Sequence, residues 1–192
     1  MDAIETELFR HHKDDFFGKD AHSPLLPEQK RKFNGLRYYD VEDDLSFVVE
    51  VARFDNEPPI QMQTSTGDAA QYIRYGRFSF EVDGERAELT IYAAPDGGSY
   101  FLPFTDATSG QETYGAGRYL DLERLQDGRF HVDFNLAYNP YCAYNPPRSL
   151  FAEMGREPVM LYSCPFPPKE NHLKVPIRAG EKKPRGPWVE EG

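Results

Sequence analysis

The sequence has little cysteine and lacks a long apolar run. Its 192 residues include two cysteines, Cys142 and Cys164. Two cysteines are too few for a secreted disulfide framework and are typical of a reducing compartment. No apolar stretch approaches the roughly 18 residues of a membrane span, and the first residues lack the basic start and apolar stretch of a secretory signal. The sequence therefore predicts a soluble, cytoplasmic protein.

Basic residues are scarce relative to acidic ones. The chain has 22 Lys and Arg against 32 Asp and Glu, which gives a net charge of -10. Proteins that bind nucleic acid or anionic membranes usually carry the opposite bias. We therefore expect neither nucleic acid nor a membrane as partner, and the composition indicates no particular oligomeric state.

Aromatic residues, glycine and proline are abundant in this chain. Aromatics make up 14% of the sequence, with 15 Gly and 16 Pro. That combination is typical of a globular β-rich protein and unlike a helical bundle.

Two short helices are predicted at the N-terminus. Asp2 and Glu5 form a capping pair, and the helix after them runs towards Gly18. A second helix begins at Pro27 and ends before Gly35. The apolar stripe predicted for the first helix comprises Ile4, Leu8, Phe9 and Phe16.

From Leu36 onward the apolar residues alternate with polar ones, as half-buried strands require. Asp83-Gly84 joins two such runs and predicts a hairpin, and Asp127-Gly128 predicts another. A last run at 173–177 contains Pro176, which cannot donate to a ladder, so we expect an edge strand there. Eight or nine short strands follow from this pattern.

These elements predict a mainly β fold, an antiparallel sandwich or barrel-like sheet with two short N-terminal helices. Residues 1–180 are expected to form one domain. Residues 181–192 are polar and proline-rich, which predicts a flexible tail.

A long polar loop at residues 104–117 precedes Arg118. Two interpretations are open. In the first, the loop is held by its own hydrogen bonds, and Arg118 pairs with Glu112, Asp121 or Asp133. In the second, Arg118 uses its planar guanidinium to bind an anionic ligand.

Residues 133–147 form a second distinctive segment, in which tyrosines recur every three residues at 138, 141 and 144 and asparagines lie among them at 135, 139 and 145. A proline-punctuated corner with inward-facing tyrosines explains the pattern structurally. A ligand-binding wall explains it functionally.

The leading hypothesis is a small-molecule-binding β protein, with a possibly anionic ligand bound between the loop of residues 106–118 and the corner of residues 138–145. One alternative is a hydrolase-like enzyme that uses Glu112 or Asp133 as a base or Cys142 as a nucleophile. Another is a structural or interaction module, whose partner could bind at Trp188. The predicted ligand-binding residues are Asp106, Glu112, Tyr114, Arg118, Asn135, Tyr138 and Tyr141.

A zinc site from Cys142, Cys164, His131 and His172 would lack the usual close cysteine pair. We therefore expect no metal, and the two cysteines are predicted to be buried, inert thiols. We also expect no cofactor.

Several segments of the chain resemble the bacterial and archaeal family catalogued as domain of unknown function 1684. The resemblance implies a single domain and no established activity. Residues 147–161 depart from the family pattern and look like an insertion. The segments that carry the resemblance are residues 16–17, 23–25, 101–106, 112–120, 133–144, 163–171 and 179–182.

Overall fold

The computed structural model describes residues 2–55 and 58–190. These residues contain eight strands in one curled, half-barrel antiparallel sheet, which confirms the predicted fold class. The strand order is β1-β8-β7-β6-β5-β4-β2, and β3 also pairs with β4. The strands are β1 Ser46–Val49, β2 Ala52–Arg53, β3 Ile60–Gln63, β4 Ala69–Val82, β5 Glu85–Ala93, β6 Tyr100–Phe104, β7 Arg118–Arg124 and β8 Phe130–Asp133.

Helices are few and short apart from the first. They are α1 Ala3–Lys19, α2 Pro27–Lys30 and α3 Arg148–Glu153, and 3-10 turns form at Asp43–Leu45, Phe134–Leu136, Tyr141–Tyr144 and Lys169–Asn171. Within the described residues, no helix is both long and apolar enough to cross a membrane.

The two predicted hairpins are confirmed. Strands β4 and β5 meet at Asp83 and Gly84, whose φ angles are 52° and 77°. Two positive φ angles in a two-residue loop match the right-handed twist of the paired strands. Strands β7 and β8 are joined through Asp127-Gly128, where Gly128 has a φ of 89°.

Helix α1 has the predicted capping box, but its buried face differs from the prediction. Ile4 and Leu8 of the expected stripe are 81% and 54% exposed. The buried residues are Thr6, Arg10 and Phe17. The reason is a polar contact, because the Arg10 guanidinium donates to the carbonyl of Tyr39 at 2.9 Å and turns that face inward.

The edge strand predicted at 173–177 is wrong. Val175 and Ile177 are buried in the main core, and Pro176 between them has no N–H to donate. The Ile177 N–H instead donates to the Asp106 carboxylate at 3.3 Å. The segment therefore crosses the core as an irregular strap and adds no strand to the sheet.

The predicted tail packs against the domain as far as it is described. The side chains of Glu181, Trp188 and Val189 are buried. The Trp188 ring lies 5.0 Å from that of Phe33, and its indole N–H donates to Asn34 at 3.0 Å. The domain limit at residue 180 stays a prediction, and residues 191–192 lie outside the described residues.

Alternating side chains cover both faces of the sheet, as the two-residue period of a strand requires. Ile91, Leu102 and Leu120 belong to the main core. The residues next to them in the sequence point to the opposite face of the sheet and form an aromatic cluster with Met62 and both cysteines. The members contributed by β5, β6 and β7 to this aromatic cluster are Tyr92, Phe101 and Tyr119.

Asn171 holds β5 and β6 together where their ladder stops. The two strands pair at Tyr92 and Ala93 and then separate. The Asn171 amide accepts from Thr90 N–H at 2.8 Å and donates to the carbonyls of Thr90 and Pro103 at 2.9 and 2.7 Å. The side chain thus satisfies backbone groups that the separated strands would otherwise leave unpaired.

We expect Asn171→Ala to lower the free energy of unfolding by about 3 kcal/mol, because it leaves buried backbone groups without partners. Urea denaturation of both proteins would measure the loss. The control is Lys169→Ala in the same turn, whose exposed side chain should change stability by less than about 0.5 kcal/mol. Equal stability of the two variants would contradict this role of Asn171.

Candidate functional site

Arg118, at the start of β7, is enclosed by acceptors. Its side chain is 1% exposed and lies 2.9 Å from the Asp106 carboxylate. The same guanidinium donates to the carbonyls of Ile177 at 2.7 Å, of Glu181 at 3.2 Å and of Ala179. The pairing partner is therefore Asp106, whereas the sequence predicted Glu112, Asp121 or Asp133.

This arrangement supports the structural interpretation of the 104–117 loop. Asp106 also accepts from the backbone N–H and the hydroxyl of Thr108 at 2.8 and 2.6 Å. A bidentate anion at Arg118 would have to displace these protein acceptors from a buried guanidinium. The ligand-binding roles of Asp106 and Arg118 stay predictions.

Glu112 is partly exposed, and its carboxylate contacts groups other than Arg118. It accepts from the Tyr39 hydroxyl at 3.1 Å and from Arg178 at 3.4 Å. Burial and the hydrogen bond to Glu112 raise the pKa of Tyr39 to about 12. Tyr39 therefore stays protonated and acts as the donor.

Asp133 and Asn135 shape the turn that follows β8. The Asp133 carboxylate accepts from both the backbone N–H and the side-chain amide of Asn135 at 3.0 Å. The Asn135 amide also bonds the backbone N–H and carbonyl of Glu42. Asp133 holds this turn, whereas the Glu112 carboxylate contacts Tyr39 and Arg178, and the catalytic roles of both carboxylates stay predictions.

Tyr138 and Tyr141 line a groove of about 510 Å³, which we call the aromatic groove. The sequence placed the opposite wall in the 106–118 loop. The structure instead builds it from α1 and residues 162–165, while Tyr114 belongs to the neighbouring aromatic cluster. The groove is lined by Phe9, Lys13, Phe16, Phe17, Tyr119, Asp121, Tyr138, Pro140, Tyr141, Tyr162, Ser163, Cys164 and Pro165.

The tyrosine rings of the aromatic groove are fixed by contacts of their hydroxyls and edges. Tyr138 donates to Asp121 at 2.8 Å, and Tyr162 donates to the Pro24 carbonyl at 2.7 Å. The Tyr141 and Tyr162 rings meet edge to face at 5.4 Å. Burial raises the pKa of Tyr138, so this tyrosine adds no negative charge to the groove.

Among the described residues, the groove walls carry one basic side chain, Lys13, and one acidic side chain, Asp121. The Lys13 ammonium lies 2.5 Å from Glu181, whose side chain is 1% exposed, and 4.9 Å from the centre of the Tyr138 ring. Asp121 is exposed, and within the described part of the chain no Lys or Arg pairs with it. The buried Glu181 therefore balances Lys13, and the carboxylate of Asp121 is left as excess charge.

The two cysteines lie beside the aromatic groove. The backbone N–H of Cys142 donates to the Cys164 sulfur at 3.3 Å, and the Tyr114 hydroxyl lies 3.8 Å from the Cys142 sulfur. A hydrogen bond from Cys164 lowers the pKa of Cys142 to about 7, while burial opposes the shift. The same hydrogen bond, together with burial, raises the pKa of Cys164.

The two histidines considered for zinc contact other groups. His131 lies 3.0 Å from the Ser46 hydroxyl, and His172 lies 3.0 Å from the Pro167 carbonyl. In residues 2–55 and 58–190, no three His, Cys, Asp or Glu side chains gather at one point.

Sequence reasoning missed the groove wall contributed by α1. A signal was present, because Phe9, Lys13 and Phe16 recur at i, i+4 and i+7 and so share one helix face. Tyr162 and Glu181 carry no local signal, since their positions depend on long-range packing.

The fold and the groove together define a half-barrel β protein with an aromatic groove on the face of its sheet opposite the main core. The chain belongs to the family described as protein of unknown function (DUF1684), which matches residues 31–150 and 159–182. The gap between these matched segments lies inside residues 147–161, the predicted insertion.

A solved structure of similar fold is the solution NMR structure of the uncharacterized protein from gene locus rrnAC0354 of Haloarcula marismortui. It is 34% identical to this chain, with a TM-score of 0.64. The match covers 93% of this chain and 92% of the other. No curated protein matches the sequence.

We expect Arg118→Ala to lower the free energy of unfolding by about 3–5 kcal/mol, because it leaves the Asp106 carboxylate buried without its cation. Thermal and urea unfolding would measure the loss. The matched control is Arg178→Ala, whose exposed ion pair with Glu112 should contribute at most about 1 kcal/mol. A stable Arg118→Ala protein would refute the structural role.

Proposed function

We propose that this protein binds a small organic cation with an apolar or aromatic body in the aromatic groove. The observation that carries the proposal is the charge balance of the groove. Its lysine is neutralised by the buried Glu181, while the carboxylate of Asp121 is exposed between aromatic walls.

The size and lining of the groove suit such a ligand. A volume of about 510 Å³ lies within the roughly 300–1,000 Å³ typical of small-molecule sites. Ring faces of tyrosine and phenylalanine attract cations within about 6 Å of their centres. Lys13 supplies an internal example, since its ammonium lies over the Tyr138 ring.

An anionic ligand, as the sequence analysis expected, is less well supported. That expectation rested on Arg118, whose guanidinium is enclosed by protein acceptors. An anion in the groove would also face Asp121 on a chain of net charge -10. Because like charges repel, charge complementarity favours a cation in the groove.

We also propose a cytoplasmic location. Its support is that Cys142 and Cys164 are free thiols, which is typical of proteins in a reducing compartment.

We expect benzyltrimethylammonium to bind at least about tenfold more tightly than 3-phenylpropionate, which has a similar size and the opposite charge. Isothermal titration calorimetry at low ionic strength would measure both dissociation constants. Asp121→Asn should weaken cation binding about three- to tenfold, because it removes the excess charge. Tyr141→Ala should also weaken it by removing a ring that is 42% exposed in the groove.

The matched control for the carboxylate is Asp127→Asn. Asp127 pairs with Arg129 in the β7–β8 turn and does not line the groove, so its replacement should leave cation binding unchanged. Tighter binding of the phenylpropionate anion, or cation binding that neither groove variant alters, would refute the proposal.

A further inference from the structure

Cys142 and Cys164 come together although 21 residues separate them in the sequence. Each side chain is almost fully buried, and both belong to the aromatic cluster. The Cys142 backbone N–H donates to the Cys164 sulfur, and the nitrogen and the sulfur lie 3.3 Å apart. Cys164 also lines the aromatic groove, so one member of the pair is adjacent to solvent.

The spacing of the pair permits a disulfide. A backbone nitrogen lies about 1.46 Å from its own Cα, so the Cα of Cys142 is at most about 4.8 Å from the Cys164 sulfur. A disulfide joins these two atoms through its Cα–Cβ, Cβ–S and S–S bonds, the last about 2.05 Å long. This separation is within the reach of those three bonds, so the spacing of the two residues is compatible with a disulfide.

The surroundings also favour a reactive sulfur. The Tyr114 hydroxyl lies 3.8 Å from the Cys142 sulfur and can donate to its thiolate. With the hydrogen bond from Cys164, this donor lowers the pKa of Cys142 and favours its thiolate, although burial opposes the shift. The thiolate is the nucleophilic form of cysteine.

We propose that Cys142 and Cys164 form an oxidisable dithiol, which a small hydroperoxide converts into an intramolecular disulfide. The Cys142 thiolate attacks the peroxide, so an S–O bond forms, the O–O bond breaks and the leaving oxygen takes the proton that the thiol released. The Cys164 thiol then attacks this sulfenic acid, the S–S bond forms, and the hydroxyl leaves with the Cys164 proton as water. The two thiols are oxidised, and the hydroperoxide is reduced to water and an alcohol or a second water.

The disulfide would tie together two walls of the aromatic groove. Cys142 lies in the turn that carries Tyr141, and Cys164 follows Tyr162 by two residues. In the reduced protein these walls are joined by the Tyr141–Tyr162 ring contact. A covalent link restricts the unfolded chain and makes the separation of the walls harder.

The experiment treats the reduced 192-residue chain with equimolar hydrogen peroxide. We expect the free thiols counted in denaturant to fall from two to zero, the intact mass to fall by about 2 Da, and dithiothreitol to reverse both changes. The midpoint of thermal unfolding should rise by about 6–12 °C in the oxidised protein. These readouts do not depend on the groove ligand, so they can fail while the proposed function stands.

Variants identify the role of each group. Cys164→Ser should leave a sulfenic acid on Cys142 that dimedone traps, and Cys142→Ser should react at least about tenfold more slowly with peroxide. Tyr114→Phe should slow oxidation severalfold while it still permits the disulfide. Retention of both thiols, oxidation without the 2 Da loss, or disulfides between chains would overturn the proposal, and the wild-type measurements decide it even if a variant fails to fold.

Discussion

The buried pair of Arg118 and Asp106 is the interaction on which the rest of the structure depends. Arg118 begins β7, and Asp106 follows β6, so the pair joins two neighbouring strands at one end of the sheet. The same guanidinium gathers the carbonyls of Ile177, Ala179 and Glu181. Because a buried cation must keep its acceptors, residues 173–181, here called the C-terminal strap, are held across the core by charge-assisted hydrogen bonds and not by a strand ladder.

Local chemistry made the central sheet predictable. Asp83-Gly84 supplies the two positive φ angles of a tight turn, and alternating apolar residues on either side leave one register that buries them. A prediction from an apolar pattern fails at 173–177, where apolar and polar residues alternate but the Ile177 N–H donates to Asp106. It also fails on α1, because Arg10 is buried by a carbonyl contributed from elsewhere in the chain. Both misses arise where long-range polar contacts override a local apolar pattern.

The candidate site was predictable only on the side that has a local signature. The tyrosines at 138 and 141 stood out by their spacing, and they do line the groove. Their opposite wall comes from α1 and from residues 162–165, which lie far apart in sequence. Composition cannot show that such segments meet. The partner of Arg118 was missed for a related reason, since several carboxylates fit the sequence equally well and only the path of the chain selects Asp106.

Glu181 connects the core to the aromatic groove. Its backbone carbonyl accepts from Arg118, while its carboxylate lies 2.5 Å from Lys13 and accepts from the backbone of Asn139 at 2.9 Å. A carboxylate buried to this degree is tolerated only with such partners. The position of the C-terminal strap thus sets the charge of the groove, because without Glu181 the Lys13 ammonium would offset Asp121. The proposed preference for a cation therefore rests on a residue that does not line the groove.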